Sequence, residues 1–316
     1  MDSIYSEFAY DDAFRTMEGE CDDILIPFVN YFHNEVYDKS AKVIRGRNEH
    51  FIEHADHSED KRITDSSFGI EFKSHIKNYH YECESSKYDA SLLIRMFEYD
   101  AQIALDNAEL ERHFIRVEFP NSGILLLRGK GGFDKVTIEI VTPGGCVEYP
   151  VMVRRMSGLS IDEIFEKHLY MLLPFYIFNM EEKLNLINED SEELEKFSNL
   201  YIEIIDRLES EMTGGYLSQF SYGVIIALIH KVAYKMTMKR EVVQKKVSDI
   251  MGGKVLDLDI IRARHEGLAE GEARGRKEGR EEERESNIKK LAASYMNQDS
   301  SLSEDKAMEM ARAILE

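Results

Sequence analysis

Arg62-Ile-Thr-Asp-Ser-Ser-Phe68 and Tyr79-His-Tyr-Glu-Cys-Glu-Ser85 are the two segments whose reading decides the fold. Each has the make-up of a short strand, within Arg62–Ile70 and Asn78–Glu84, and a loop joins them. Adjacent antiparallel strands are the natural arrangement. Asp65 and Glu82 lie seventeen residues apart, a spacing that such a hairpin closes to a few ångströms. Side chains alternate along a strand, so Glu82 and Glu84 share one face while Cys83 points to the other. Three converging carboxylates repel one another unless a cation neutralises them. Charged oxygen ligands suit a hard ion, Mg²⁺ or Mn²⁺. An ion held by one or two carboxylates, with several waters kept, is the usual equipment for phosphodiester hydrolysis. Acidic pairs on solvent-facing strands are also common, so the residues alone leave a plain surface hairpin open.

Outward from this pair, residues 11–38 read as a helix. Phe14, Met17, Ile24, Ile26, Val29, Phe32 and Val36 mostly share an apolar face, with Pro27 bending or dividing it. Residues 46–60 are polar and read as a loop or exposed hairpin. Tyr88–Ala108 has Leu92, Met96, Tyr99 and Ile103 near one stripe and reads as a helix. Strand patterns follow at His113–Glu118, Gly123–Arg128, Lys135–Val141 and Val147–Arg154. Pro-Asn-Ser-Gly, Gly-Lys-Gly-Gly and Pro-Gly-Gly between them have turn chemistry. From Ser160 the chain reads as helical. Ser160-Ile-Asp-Glu163 is a capping box, and further helices are expected at 190–211, 217–238 and 257–295. The expected class is α/β of the α+β kind, followed by an all-helical C-terminal region. The expected regions are 1–158, 159–256 and a Gly/Glu/Arg-rich helical tail, 257–316.

The 316 residues hold 40 Lys and Arg against 60 Asp and Glu, a formal charge of −20. The acidity is heaviest within residues 1–100. Such a chain attracts no polyanion by bulk charge, which argues against a protein that coats nucleic acid or anionic membrane. Hydrophobic residues make up 43%, enough for a real core. Three cysteines without motif spacing exclude a disulfide framework and suit a reducing compartment. No leader-like segment is evident, and Tyr170–Met180 and Tyr222–Ile229 are shorter than the ~20 residues a membrane span needs. The expected location is the cytoplasm, with no membrane partner.

The chain also resembles a known family. Asp11-Asp-Ala-Phe-Arg-Thr, Arg62-Ile-Thr-Asp-Ser, Tyr81-Glu-Cys-Glu-Ser and Arg95-Met-Phe-Glu-Tyr-Asp are similar to stretches of the PD-(D/E)XK nuclease family transposases, or Rpn-type recombination-promoting nucleases. Leu125-Leu-Leu-Arg, Tyr149-Pro-Val, Leu172-Leu-Pro-Phe-Tyr and the Glu-Gly repeats of the tail extend the resemblance over most of the chain. The motifs are short, and their order and spacing carry the likeness. The resemblance implies a restriction-endonuclease-like core, a mixed sheet flanked by helices. It implies a Mg²⁺- or Mn²⁺-dependent DNA endonuclease associated with recombination or transposition. Asp65 and Glu82 would hold the metal. The third motif position falls on Glu84, where many members of this group carry Gln and other nucleases of the superfamily carry Lys. A Lys there orients water or stabilises developing negative charge, and a carboxylate supplies no such charge. The alternative is therefore a catalytically degenerate, nuclease-like interaction or regulatory protein. Arg95, on the following helix, is the candidate phosphate-stabilising cation, or else an ion-pair partner of Glu84 or Glu98.

Other features carry less. Asp11, Asp12 and Arg15 on the first helix read as helix-starting and solvated, although this fold would let one acid approach the metal. His50, His54 and His57 imitate a metal cluster but lie in a polar loop. Gly129-Lys-Gly-Gly reads as a hairpin turn and not a phosphate loop. Lys231, Lys235, Lys239, Arg240, Lys245 and Lys246 offer a DNA-backbone patch or a solvated helix face. Gly267, Gly271, Gly275 and Gly279 recur every four residues and cost a helix ~3–4 kcal/mol relative to alanine. Close helix–helix contact or Glu/Arg pairs would offset that, so homo-oligomerisation through the tail is one expectation and a solvated helix the other.

Overall fold

In the computed structural model, which describes residues 9–45, 49–53, 59–63 and 66–251, with 288, 289, 306 and 310, the quoted segments meet antiparallel over Ser66–Phe68. Arg62 and Ile63 instead end a separate strand, so the single strand expected over Arg62–Ile70 is corrected to two. Ser66–Phe72 (β4) runs against His75–Glu84 (β5), with Ser66 opposite Tyr81 and Phe72 opposite His75. Lys73 and Ser74 make the turn between them, both in the left-handed region at φ 50° and 64°. Two-residue hairpin loops favour that conformation because it matches strand twist. Asp65 lies outside the described residues and directly precedes Ser66 in the chain.

The chain divides into two compact units, Met1–Leu256 and Asp257–Glu316. The first carries the sheet and the helices around it. Ala9–Glu20 (α1) and Asp22–His33 (α2) come first. The helical run breaks at Cys21 (φ −123°, ψ 76°) and not at Pro27, which sits inside α2. Asp22 and Asp23 in the first turn of α2 favour a new start there, because acids stabilise a helix N-terminus. Lys42–Arg45 (β1) pairs with β4, and Glu49–Glu53 (β2) with Glu59–Ile63 (β3) forms a separate hairpin. After β5 come Ser91–Asp106 (α3) and a small hairpin, Glu109–Glu111 (β6) with Phe114–Arg116 (β7). Asn121–Leu126 (β8), Lys135–Thr142 (β9) and Gly145–Arg155 (β10) complete the sheet.

The sheet has six strands in the order β1-β4-β5-β8-β10-β9. β5, β8 and β10 are parallel neighbours, and the other pairings are antiparallel. The protein is therefore mixed α/β with a mixed sheet. Two loop expectations are corrected by this topology. Gly129–Gly132 is no hairpin turn, because β10 lies between β8 and β9. Asn121-Ser-Gly123 is strand and not turn. A Cβ on Gly123 would come within 2.7–2.8 Å of the Phe32 and Tyr81 rings, so glycine lets α2 approach β8.

Parity divides the sheet. Tyr79, Tyr81 and Leu125 face one side, where Tyr81 meets Phe28 and Phe32 edge-on at 5.1 and 5.0 Å between ring centroids. On the other side Ile124, Leu126, Val151 and Val153 pack under Leu92 and Met96 of α3. His80, Glu82 and Ser122 lie on that same side, in the shared β5–β8 register. Parallel neighbours need a crossover, and α3 with the β6–β7 hairpin provides it between β5 and β8.

The remainder is helical, as expected from Ser160 onward. Ser160 caps Ile161–Glu166 (α4) in a complete capping box. Tyr170–Lys183 is a long 3-10 stretch with eight buried residues, and burial holds a geometry that rarely persists so far. Leu184–Glu189 (α5), Ser191–Thr213 (α6), Gln219–Thr237 (α7) and Glu241–Met251 (α8) follow. α7 packs on α1, α8 and the 3-10 stretch and is buried along most of its length. Asp23 fastens its start, accepting from Ser218 N at 2.9 Å and Ser221 Oγ at 2.5 Å. No helix among the described residues is long and apolar enough to cross a membrane. The proposed helix at 257–295 falls outside the described residues, apart from 288 and 289.

Candidate active site

Glu82 and Glu84 stand at the C-terminal end of β5, where alternation gives them one face. Glu82 is buried, at 3% exposure, beneath α3. Arg95, in the second turn of α3, reaches both. Its Nη2 lies 3.1 Å from Glu82 Oε2 and 3.2 Å from Glu84 Oε2. Glu84 also accepts from the Ser86 backbone N–H at 2.7 Å through Oε1. Two carboxylate oxygens therefore converge on one cationic nitrogen, and Arg95 is the ion-pair partner of Glu84 and of Glu82 as well.

Glu82 Oε1 faces inward. His80 Nε2 lies 3.3 Å from it, and His80 Nδ1 lies 2.7 Å from Asp100 Oδ1. Ser122 Oγ donates to Asp100 Oδ1 at 2.7 Å, and Tyr149 Oη donates to Oδ2 at 3.1 Å. His80 and Asp100 are both wholly buried. Burial alone would pull the His80 imidazole down. The hydrogen bonds and charges of Asp100 and Glu82 more than reverse this and push it up to about 9. Burial and the nearby Asp100 raise the Tyr149 hydroxyl, so it remains a donor.

Asp11 belongs to the same neighbourhood. Its carboxyl is half-buried in α1 and raised, first by burial and then by Glu82 and Glu84, with Arg15 acting the other way. The solvated role expected of Asp11 is corrected on this ground: it shares the electrostatic field of the β5 carboxylates. Arg128, just past β8, braces the site's flank. It forms a two-point ion pair with Glu181, both contacts at 2.7 Å, and donates to the Ser85 carbonyl.

The structure thus brings together Glu82, Glu84 and Arg95 among the expected residues. Asp65 lies outside the described residues, as do His54 and His57. In the late basic stretch, Lys231 pairs with Asp12 at 3.4 Å, and Arg240 donates to Asn185 at 2.8 Å and to the Met236 carbonyl at 3.1 Å. Sequence reasoning missed His80, Asp100, Ser122 and Tyr149. Two signals pointed to the first pair. His80 shares the parity of Glu82 and Glu84, and Asp100 falls four residues after Met96 and three before Ile103, on the apolar stripe of α3. A carboxylate on a buried stripe must find a partner.

A hard cation is the group implied for this site. Among the described residues, no three His, Cys, Asp or Glu side chains form a group arranged to hold one. The donor chemistry fits all the same. The Oε2 atoms of Glu82 and Glu84 already converge on a positive charge, and carboxylate oxygen is what Mg²⁺ and Mn²⁺ prefer. No protein-family model, curated protein or solved structure matches the chain.

Proposed function

We propose that the protein is a Mg²⁺- or Mn²⁺-dependent DNA endonuclease with a restriction-endonuclease-like core, of the recombination-associated type that its motifs resemble. The observation that carries this reading is the convergence of Glu82 and Glu84 on a single cationic atom at the end of a central strand. The mixed sheet, with α3 on one face and α1 and α2 on the other, is in keeping with it. Glu82 and Asp65 would hold the ion, which when bound supplies an activated water and charge stabilisation. Glu84 accepts a proton or orients water beside it. Arg95, 44% exposed at its side chain, would exchange a carboxylate contact for a phosphate oxygen and so provide the positive charge that Glu84 lacks. DNA is the partner, and the acidic surface predicts weak, salt-sensitive affinity. The test is nicking of supercoiled plasmid. Full-length protein should nick with Mg²⁺ or Mn²⁺, and Asp65→Ala and Glu82→Gln should abolish it. Absence of cleavage by folded protein at all concentrations of both metals would count against the reading.

A second reading rests on Glu84 itself. Both its oxygens are engaged, by Ser86 N–H and by Arg95, and it brings no positive charge. A degenerate nuclease-like interaction module would have such a site. Cleavage that appears only in Glu84→Gln or Glu84→Lys selects this reading, and cleavage by the natural chain excludes it.

A further inference from the structure

Behind the proposed metal ligand lies a buried polar chain that motif reasoning does not call for. It runs from Ser122 and Tyr149 to Asp100, from Asp100 to His80, and from His80 to Glu82. It joins α3 to β5, β8 and β10, and three of its members, His80, Glu82 and Asp100, are ionisable side chains buried away from solvent. Both His80 nitrogens face carboxylate oxygens, which only accept. A ring protonated on both nitrogens donates to both carboxylates.

Stability alone gives little reason for this arrangement. Well-packed apolar side chains of similar volume often replace a buried ionic network at no cost. Leu92, Met96, Ile124 and Val151 already pack as such a core on the same face. What the network does locally is restrain Glu82. A glutamate has three side-chain torsions, and without a tether its carboxylate can turn about each. With Oε1 held by His80 Nε2, the carboxylate plane is fixed and Oε2 is directed outward, toward Arg95 and Glu84.

We propose that His80, oriented by Asp100, is a positioning residue that fixes the Glu82 carboxylate so that Oε2 is presented for divalent-metal binding. This rests on the metal-site reading above. Hydrogen-bonding groups behind a metal ligand characteristically influence affinity 10–100-fold, and that is the effect expected here.

Titration of the full chain with MnCl₂, followed by calorimetry or by the loss of free Mn²⁺ signal in EPR, tests it alongside thermal melting. The natural chain should bind Mn²⁺, and Glu82→Gln should lose it. His80→Leu leaves Asp100 buried without this partner and should melt below the natural temperature, and its folded form should bind Mn²⁺ about 10–100-fold more weakly. His80→Gln, which keeps one donor for Glu82, should recover part of the affinity. A purely structural role moves the melting temperature and leaves the affinity of the folded protein alone. If His80→Leu does not fold, His80→Gln and Asp100→Asn decide: Mn²⁺ affinity within twofold of the natural chain in both overturns the proposal. Binding lost in Glu82→Gln but unchanged in the His80 variants overturns the positioning role alone. No Mn²⁺ binding by the natural chain overturns the metal site and the positioning role together.

Discussion

Raising the pH from about 6.5 to about 9.5 removes the proton that lets His80 donate to both Asp100 and Glu82. The folded His80 sits at about 9, against 6.5 for an ordinary histidine. A raised value means the folded state holds the proton more tightly than the unfolded chain. Its stabilisation is therefore complete below pH 6.5 and is lost as the pH rises through about 9. Each pH unit between the two values corresponds to about 1.4 kcal/mol, so the interval sets a ceiling of ~3 kcal/mol. The neutral ring keeps one donor, and the loss should fall somewhat short of that ceiling. His33 acts on the opposite limb. Burial lowers it to about 4, and its Nε2 is buried without a hydrogen bond. The unfolded chain then takes up the proton first, and stability falls as pH drops from 6.5 toward 4, again by up to ~3 kcal/mol. The two histidines therefore act on opposite limbs of the stability curve, and His230, which burial also lowers, adds to the acid side. Urea unfolding at half-unit pH steps, in the natural chain, His80→Gln and His33→Gln, measures this. Each variant should flatten one limb only. Alkaline limbs that stay parallel in the natural chain and His80→Gln would refute the buried imidazolium.

Three further expectations concern the frame of the site. Gly123→Ala should cost ~2–3 kcal/mol, because the new methyl meets two fully buried aromatic rings, and the midpoint should fall by ~5–10 °C in a thermal melt. Ser74→Gly removes a left-handed strain at φ 64° and should stabilise the chain by ~0.5–1 kcal/mol in urea unfolding; a loss of stability would show that the serine side chain matters more than its backbone. Arg95→Ala should leave melting little changed, since the side chain is 44% exposed, but should reduce plasmid nicking by at least tenfold.

The antiparallel pairing of β4 with β5 was legible because period-two alternation is a local signal, and it sufficed to put Glu82 and Glu84 on one face; the end of β3 at Ile63, before β4 begins at Ser66, was not. The capping box at Ser160 was legible for the same reason. The break at Cys21 was not, since Pro27 is the stronger local breaker while the acids at 22 and 23 act through the helix dipole. Asn121-Ser-Gly reads as a turn in any sequence. Only the Phe32 and Tyr81 rings packed against Gly123 show why glycine occupies a central strand. The His80–Asp100 pair joins residues twenty apart on different elements, and its meaning depends on the crossover that lays α3 over β5. No local period reports that. Arg95 was open beforehand between a phosphate-stabilising role and an ion pair, and the geometry shows its ion pairs with Glu82 and Glu84.

The central claim is that Glu82, with Asp65, holds a divalent ion for phosphodiester chemistry. A crystal of the full chain soaked in MnCl₂ and measured at the manganese absorption edge tests it most directly. The account predicts an anomalous peak ~2.0–2.3 Å from Glu82 Oε2 and from an Asp65 carboxylate oxygen, with Arg95 withdrawn from Glu82. An ordered site with both carboxylates visible, Arg95 still bridging Glu82 and Glu84, and no anomalous peak would contradict it.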